Sequence, residues 1–201
     1  MIEEIIKNVG NSTIVAATKY VDVSQMKEIY AKGITNFGEN RVDSFLGKYD
    51  VLNGYDITWH FIGHLQRNKC SKVINKIEYL HSLDNIELAK LINKYRTTPL
   101  KCFVQVNISQ DELKYGINEE DLSSFLEEVK QYEKVEIVGL MTILKADLSE
   151  EENYAYFSHL AELCEKYNLK MTSMGMSSDY KQAVKANATY IRLGSILFKG
   201  E

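Results

Sequence analysis

The stretch 101–143, KCFVQVNISQDELKYGINEEDLSSFLEEVKQYEKVEIVGLMTI, contains two strand patterns separated by one helix pattern. KCFVQVNI at 101–108 and VEIVGLMTI at 135–143 are nearly continuous apolar runs, typical of strands buried on both faces of a parallel sheet. Between them, four apolar residues follow the i, i+3, i+4, i+7 spacing of an amphipathic helix: Leu122, Phe125, Leu126 and Val129. The stretch therefore predicts a strand–helix–strand unit with parallel strands.

The same alternation of short apolar runs and helical stretches extends over the whole chain. The six other strand candidates are 14–19, 34–39, 57–63, 78–83, 171–175 and 189–194. Three pairs resemble capping boxes that open helices: Asp22 with Gln25, Asp84 with Glu87, and Ser149 with Glu152. Eight strands that alternate with helices predict a (β/α)8 TIM barrel, and we expect residues 1–201 to form a single barrel domain.

The alternative architecture is an open, doubly wound sheet. That fold usually has a glycine-rich turn after its first strand, whereas here the turn at 17–22 is ATKYVD, which favours the barrel. Only ILFKGE follows the last strand, so we expect no C-terminal helix. An apolar stripe before the first strand, formed by Ile2, Ile5, Ile6 and Val9, predicts an N-terminal helix that takes its place.

Charge, hydropathy and cysteine content exclude several classes of protein. The net charge of −4 argues against general nucleic-acid binding, and no apolar run approaches the roughly 20 residues of a membrane span. The N-terminal segment lacks the basic region and cleavage site of a signal peptide. The cysteines, Cys70, Cys102 and Cys164, are odd in number and widely spaced, so we expect reduced thiols in a cytoplasmic protein.

Candidate chemistry lies where the predicted strands end, because barrel enzymes build their sites at the C-terminal ends of the strands. Lys19 closes the first strand, where desolvation would disfavour its ammonium form and leave an amine able to form a Schiff base. SMGMSSD at 173–179 and RLGS at 192–195 supply small residues and hydroxyls at the two strand ends where barrels often hold phosphate. Together these features suggest a ligand that carries both an aldehyde and a phosphate.

The motifs, taken in order, resemble one family. They are VAATKY (15–20), NFGENRV (36–42), WHFIGHLQRNK (59–69), VQVNIS (104–109), KYGI (114–117), VGLMTI (138–143), SMGMSSD (173–179) and IRLGS (191–195). The chain resembles the pyridoxal phosphate homeostasis proteins, single-domain relatives of the alanine racemase barrel. The resemblance covers nearly the whole chain and implies pyridoxal 5'-phosphate (PLP) as cofactor.

The resemblance also implies a role for particular residues. Lys19 would carry PLP as an aldimine, and Arg192 would face the pyridine nitrogen. Three residues would hold the phosphate, with Ser178 beside them: Ser177, Gly194 and Ser195. Four more would line the pocket or pack near the ring: Asn40, His64, Met174 and Met141.

Two classes of function compete for such a site. In a carrier, PLP is bound reversibly and supplied to PLP-dependent apo-enzymes; in an amino-acid racemase, the same group would drive deprotonation. Racemisation needs an acid/base group on each face of the substrate carbon, and in the racemases the second is a tyrosine from a further C-terminal domain, which we do not expect here. An arginine beside the pyridine nitrogen also weakens the ring as an electron sink. We therefore expect a non-catalytic monomeric carrier, with a racemase or a class I Schiff-base aldolase using Lys19 as the alternatives.

A metal site is the remaining hypothesis for the histidines of the third strand. His60 and His64 fall on the same side of a strand of period two, as a ligand pair would. No third ligand accompanies them in the sequence, so we expect no metal.

Overall fold

The computed structural model describes residues 2–113 and 115–198, and within them eight parallel strands close into a barrel in sequence order. The strands are β1 (Thr13–Ala17), β2 (Asn36–Glu39), β3 (Thr58–Phe61), β4 (Tyr79–Leu83), β5 (Leu100–Gln105), β6 (Val135–Met141), β7 (Met171–Ser173) and β8 (Tyr190–Leu193). Each lies within or next to a run predicted from the sequence. The (β/α)8 barrel is thereby confirmed, and the open doubly wound sheet is excluded.

Helices follow the strands around the outside of the barrel. They are α1 (Ile2–Asn8), α2 (Val23–Ala31), α3 (Val42–Val51), α4 (Cys70–Val73), α5 (Ile86–Tyr95), α6 (Leu122–Val129), α7 (Glu150–Lys166), α8 (Tyr180–Lys185) and α9 (Ser195–Phe198), with 3-10 turns at Arg67–Lys69 and Glu119–Asp121. Within the described ranges, 2–113 and 115–198, none of these helices has the length and apolarity to cross a membrane.

The helix starts agree with the sequence at two of the three predicted capping boxes. Asp22 and Ser149 cap α2 and α7, each with the reciprocal bond from the third helical residue. The predicted box at Asp84 is wrong, because Asn85 is the cap of α5 and its side chain accepts from the Leu88 N–H at 2.8 Å. Asp84 instead accepts a hydrogen bond from the Asn85 side chain.

The two ends of the chain meet the barrel through short helices. Ile5 of α1 and Val9 after it are buried in the hydrophobic core, so the predicted N-terminal helix is present and packed. One turn of helix, α9, follows β8, although the sequence led us to expect none there. Leu197 of α9 is buried in the same core, so this short turn is packed against the rest of the protein.

The core has two layers separated by the barrel wall. A large apolar cluster fills the space between the strands and the helices. A second cluster fills the inside of the barrel and consists of Val15, Ile62, Tyr79, Phe103, Met141 and Tyr190, with polar side chains among them. Because successive residues of a strand point to opposite faces, each strand contributes to both layers.

A buried ion pair fixes the ends of β1 and β2. Glu39 is fully buried and accepts from the ammonium of Lys48, which reaches it from α3. Glu39 also accepts from the Thr18 hydroxyl at 2.9 Å and the Ser44 hydroxyl at 3.2 Å. Lys48 donates as well to the backbone carbonyl of Thr18, so the residue directly before Lys19 is held on two sides.

Replacing Lys48 with methionine leaves the Glu39 carboxylate buried without its countercharge. We expect Lys48→Met to lower the free energy of unfolding by about 3–5 kcal/mol, as is typical when one partner of a buried pair is removed. Urea denaturation measures the change. Lys130→Met is the matched control, because Lys130 pairs with Glu127 on the exposed surface and its loss should change stability little. Equal stability of the two variants would contradict a structural role for the buried pair.

Candidate functional site

A pocket opens at the C-terminal ends of the strands, where the barrel closes between β8 and β1. Its volume is about 820 Å³, within the usual range for small-molecule sites. The loops after β1, β2, β7 and β8 all contribute to it. Its lining includes Lys19, Tyr20, Asn40, Ile62, Ile143, Met176, Ser177, Ser178, Arg192, Gly194 and Ser195.

Lys19 lies two residues beyond the end of β1. Thr18 before it is buried and its N–H donates to the Gly38 carbonyl at 2.9 Å, so the backbone leaves the barrel wall in a fixed direction. Lys19 itself is exposed, with its amine 4.7 Å from the centre of the Tyr20 ring, a cation–π contact. The expected desolvation of Lys19 is therefore wrong: the strand ends earlier than predicted, and the amine stands at the rim of the pocket.

The loops after β7 and β8 meet beside Lys19. The N–H of Gly194 donates to the Ser177 hydroxyl at 3.2 Å, which joins the two loops directly. Ser178 and Ser195 are exposed on the same pocket. Asp179 shapes the first loop by accepting from the Met176 N–H at 2.6 Å, and burial raises the pKa of this carboxyl. The hydroxyls of Ser177, Ser178 and Ser195 thus lie on one side of the pocket, where the two loops are tied together.

Two glycines of these loops differ in what an added side chain would meet. A Cβ on Gly175 would lie 2.5 Å from the Cβ of Ala183, and the backbone there has a φ of +89°, so the fold itself requires glycine. A Cβ on Gly194 would meet only the Cβ and carbonyl oxygen of Ala17, at 3.6 and 3.7 Å, which is ordinary contact. The protein's own packing therefore leaves open the space beside Gly194 that a ligand could occupy.

Arg192 points from β8 into the barrel just below the pocket and is buried. Its guanidinium donates to the Ser173 hydroxyl at 2.7 Å and to the Thr142 carbonyl at 2.8 Å. Burial lowers the pKa of Arg192 to about 10, while the charge of Asp179 opposes that shift. The side chain therefore remains a cation at neutral pH, and it can only donate hydrogen bonds.

Of the other predicted pocket residues, some lie at or near the pocket and some do not. Asn40 lines the pocket, and Met141 is buried inside the barrel without being part of the lining. His64 is exposed and stacks on Tyr115, with ring centres 4.2 Å apart, and it is not part of the lining. Met174 is also misplaced: Ser173 faces the barrel interior, so the next residue faces the helices, and Met174 is buried in the outer core.

The two histidines considered as metal ligands do not come together. His60 lies inside the barrel, bonded to His81 at 2.8 Å and to Asn36 at 2.9 Å, whereas His64 is outside on the rim. In the part of the chain that the structure describes, no cluster of three or more His, Cys, Asp or Glu side chains is arranged to bind a metal ion. The motif KYGI includes Lys114, which lies outside the described residues.

Sequence reasoning missed several pocket residues. Tyr20 and Met176 belong to the quoted motifs. Their positions next to Lys19 and Ser177 could have identified them as pocket residues. Ile143 also lines the pocket and ends the quoted motif VGLMTI, whereas Ile196 and Phe198, as apolar residues of a short terminal helix, could not be told from core. Lys48 carried no local signal at all, because its partner Glu39 belongs to another element.

Comparison with known proteins places this chain in a family. Residues 2–201 match the family described as alanine racemase, N-terminal domain. A pyridoxal phosphate homeostasis protein from Synechocystis is 38% identical over 195 residues, covering 92% of this chain and 89% of the relative. One from Aquifex aeolicus is 36% identical over 194 residues, covering 92% of this chain and 85% of the relative.

Solved structures agree in fold with these sequence relatives. PipY of Synechococcus elongatus without PLP superposes with a TM-score of 0.90 at 33% identity, covering 98% of this chain and 97% of PipY. The structure of PipY with PLP bound gives a TM-score of 0.86 at 32% identity, with 98% and 100% covered. The chain therefore belongs to the alanine racemase N-terminal domain family and, within it, to the pyridoxal phosphate homeostasis proteins.

Proposed function

We propose that this protein is a non-catalytic PLP-binding carrier that takes part in vitamin B6 homeostasis in the cytoplasm, with Lys19 as the Schiff-base residue and residues 1–201 acting as one barrel domain. One observation carries the proposal. The pocket brings the Lys19 amine, the joined loops of Ser177 and Gly194, and the Arg192 cation together, although they come from opposite ends of the sequence. These three groups match the aldehyde, the phosphate and the pyridine ring of PLP.

The phosphate would be held by the loops after β7 and β8. Ser177 and Ser195 offer hydroxyls, and Ser178 lies beside them on the same lining. The Leu197 N–H of α9 already donates to the Gly194 carbonyl at 2.9 Å, so the N–H groups of Ser195 and Ile196 before it are the ones that would meet an anion. The open space beside Gly194 lets an oxygen-rich group approach the backbone closely.

Arg192 would determine how the ring is recognised. It has only donors, so a pyridine nitrogen that faces it must accept and cannot itself be protonated. A carboxylate in that position would instead favour the protonated ring, which withdraws electrons more strongly. Asn40 and Met176 complete the pocket.

The bound cofactor supplies an aldehyde carbon with which an amine condenses, releasing water. Lys19 is the amine on the pocket lining, and its exposed position at the rim allows the bond to form and hydrolyse without opening the protein. The buried pair of Glu39 and Lys48 holds the Thr18 carbonyl, so the backbone that carries Lys19 is fixed while its side chain is free to move.

The lining favours a carrier over a racemase. Among the described residues that line the pocket, the titratable side chains are Lys19, Tyr20 and Arg192. Lys19 and Tyr20 are neighbours at the end of one strand, with the amine over the tyrosine ring, so both approach a ligand from the same side. Racemisation needs proton-transfer groups on both faces of a carbon, and the lining offers no such opposed pair.

Supply of PLP to apo-enzymes fits the same geometry. Tyr20 is 83% exposed, so the amine beside it is accessible from solvent. We propose that the monomer releases PLP from this open rim to PLP-dependent apo-enzymes.

The attachment residue is tested with Lys19→Ala. We expect the wild-type protein with added PLP to show a visible absorption band and, after borohydride reduction, a mass increase of one cofactor at Lys19. The variant should lose both and retain weak binding through the phosphate loops. Lys27→Ala is the matched control, because Lys27 is another exposed lysine that lies over a tyrosine ring. A reduced adduct that persists in Lys19→Ala would assign the attachment to another lysine.

The phosphate loop is tested with Gly194→Ala. The added methyl group finds only ordinary contacts within the protein, so the melting temperature should change little. PLP affinity should fall by about tenfold or more, because the methyl group blocks a charge-assisted contact to the backbone. Calorimetric titration measures the affinity, and Gly47→Ala on the exposed face of α3 is the control. Unchanged affinity would place the phosphate elsewhere.

The carrier assignment is tested by assaying amino-acid turnover. Wild-type protein loaded with PLP should racemise L-alanine and other amino acids no faster than free PLP at the same concentration. Chiral chromatography of the reaction mixture measures the rate. Turnover above that background which disappears in Lys19→Ala would show that the protein is an enzyme.

A further inference from the structure

A chain of hydrogen bonds crosses the inside of the barrel and ends at the pocket. It begins at the Asn36 side chain, half-buried at the start of β2, whose Oδ1 lies 2.9 Å from His60 Nε2. His60 Nδ1 lies 2.8 Å from His81 Nε2, and His81 Nδ1 lies 2.7 Å from the Ser173 hydroxyl. Ser173 in turn accepts from Arg192 at 2.7 Å. Strands β2, β3, β4, β7 and β8 each contribute one member.

The direction of this chain follows from its two ends. Arginine can only donate, so the Ser173 oxygen accepts from Arg192 and its own proton is free to point at His81 Nδ1. His81 then carries its proton on Nε2 and donates to His60 Nδ1. His60 carries its proton on Nε2 and donates to the Asn36 oxygen. One arrangement of protons therefore satisfies every member.

The surroundings keep both histidines neutral. His60 and His81 are fully buried, and Tyr79, Phe103 and Tyr190 pack around them, with the His60 and Tyr79 rings stacked 4.7 Å apart. Burial lowers the pKa of His60 to about 3 and holds the pKa of His81 well below its usual value. The charges of His60 and Arg192 would add to the cost of a second cation at His81. A neutral pair is consistent with the chain of single donors and acceptors.

We propose that His60, His81 and Ser173 are positioning residues that fix the guanidinium of Arg192 toward the ring of the cofactor, an inference that rests on the proposed function. The hydrogen-bond chain presents the Ser173 oxygen as an acceptor, and no donor, to the buried side of Arg192. The Thr142 carbonyl presents a second. These two bonds use two of the five N–H groups of the arginine. The edge of the guanidinium that lines the pocket remains available for the ligand.

Neutral acceptors suit this task better than a carboxylate would. Across residues 2–113 and 115–198, Arg192 forms no ion pair, so its charge is not neutralised by a direct contact. Hydrogen-bonded dipoles that all point the same way reinforce one another and stabilise the cation without competing for the ligand. The hydrogen-bond chain cannot relay protons to the pocket, because Arg192 at its end stays protonated at neutral pH.

The proton arrangement is tested first in the protein without ligand. Nitrogen-15 NMR of the imidazole rings distinguishes the two neutral tautomers and the cation. We expect His60 and His81 to be neutral with the proton on Nε2 between pH 5 and 8, and the partly exposed ring of His159, which contacts Glu119, serves as the reference for assigning the spectrum. A proton on Nδ1 of His81, or a cation at either position, overturns the proposal.

The effect on the pocket is tested with paired variants. His81→Leu removes the acceptor for Ser173, whereas the amide oxygen of His81→Asn can take the place of Nδ1. Phe103→Leu changes the packing against His81 without removing any hydrogen bond of the chain. Ser173→Ala breaks the chain by removing a single oxygen, in case His81→Leu does not fold.

Two probes separate the ring from the phosphate: pyridoxine 5'-phosphate, which has no aldehyde for Lys19, and inorganic phosphate. We expect His81→Leu and Ser173→Ala to bind pyridoxine 5'-phosphate about tenfold more weakly, as loss of one charge-assisted hydrogen bond implies, with phosphate affinity unchanged. His81→Asn and Phe103→Leu should resemble the wild type. If His81→Leu and Ser173→Ala keep wild-type affinity while the wild type binds PLP, the positioning role is overturned and the proposed function stands. A wild type that does not bind PLP contradicts the proposed function and, with it, this inference.

Discussion

The parallel pairing of β1 with β8 places Val15 beside Arg192 and Ala16 beside Leu193, and every feature of the site depends on this closure. In an open sheet these two strands would be opposite edges, separated by seven spacings of about 4.8 Å, or roughly 34 Å. No small ligand could then reach both Lys19 and the loop at Gly194. Closure turns the two ends of the sequence into one wall of a pocket, and the parallel direction puts both loops at the same end of the barrel.

The protein carries buried charge in two different ways. Glu39 and Lys48 neutralise each other at the ends of β1 and β2, which fixes the backbone before Lys19. Arg192 instead donates its direct hydrogen bonds to two neutral acceptors, so its charge is not cancelled by a direct contact. In the portion that the structure describes, every buried side-chain nitrogen and oxygen has a hydrogen-bond partner. The charges with a structural role are thus paired with each other. The charge that faces the pocket is held in place by hydrogen bonds to neutral groups.

Much of the fold could be predicted because its signals are local. Apolar runs and helical spacing require no knowledge of distant contacts, and the rule that barrels bind ligands at strand ends directed attention to Lys19, Ser177 and Gly194. The errors in the predicted site concern residues whose side chains point in another direction than expected. Met174 was expected beside the ring, but β7 places Ser173 inward and therefore Met174 outward. His64 failed for a similar reason: it lies three residues past β3, where strand alternation no longer fixes the direction of a side chain.

The sequence by itself determined the order of the strands and helices, the barrel, and the motif loops that carry the hydroxyls and the amine. Only the tertiary structure decided which residues meet across the interior. His81 and Ser173 are 92 positions apart, and their contact depends on how the strands tilt and shear as the sheet closes. Lys48 likewise reaches Glu39 only because α3 packs against the barrel at one particular angle. Such contacts follow from closure as a whole, and no local pattern of residues records them.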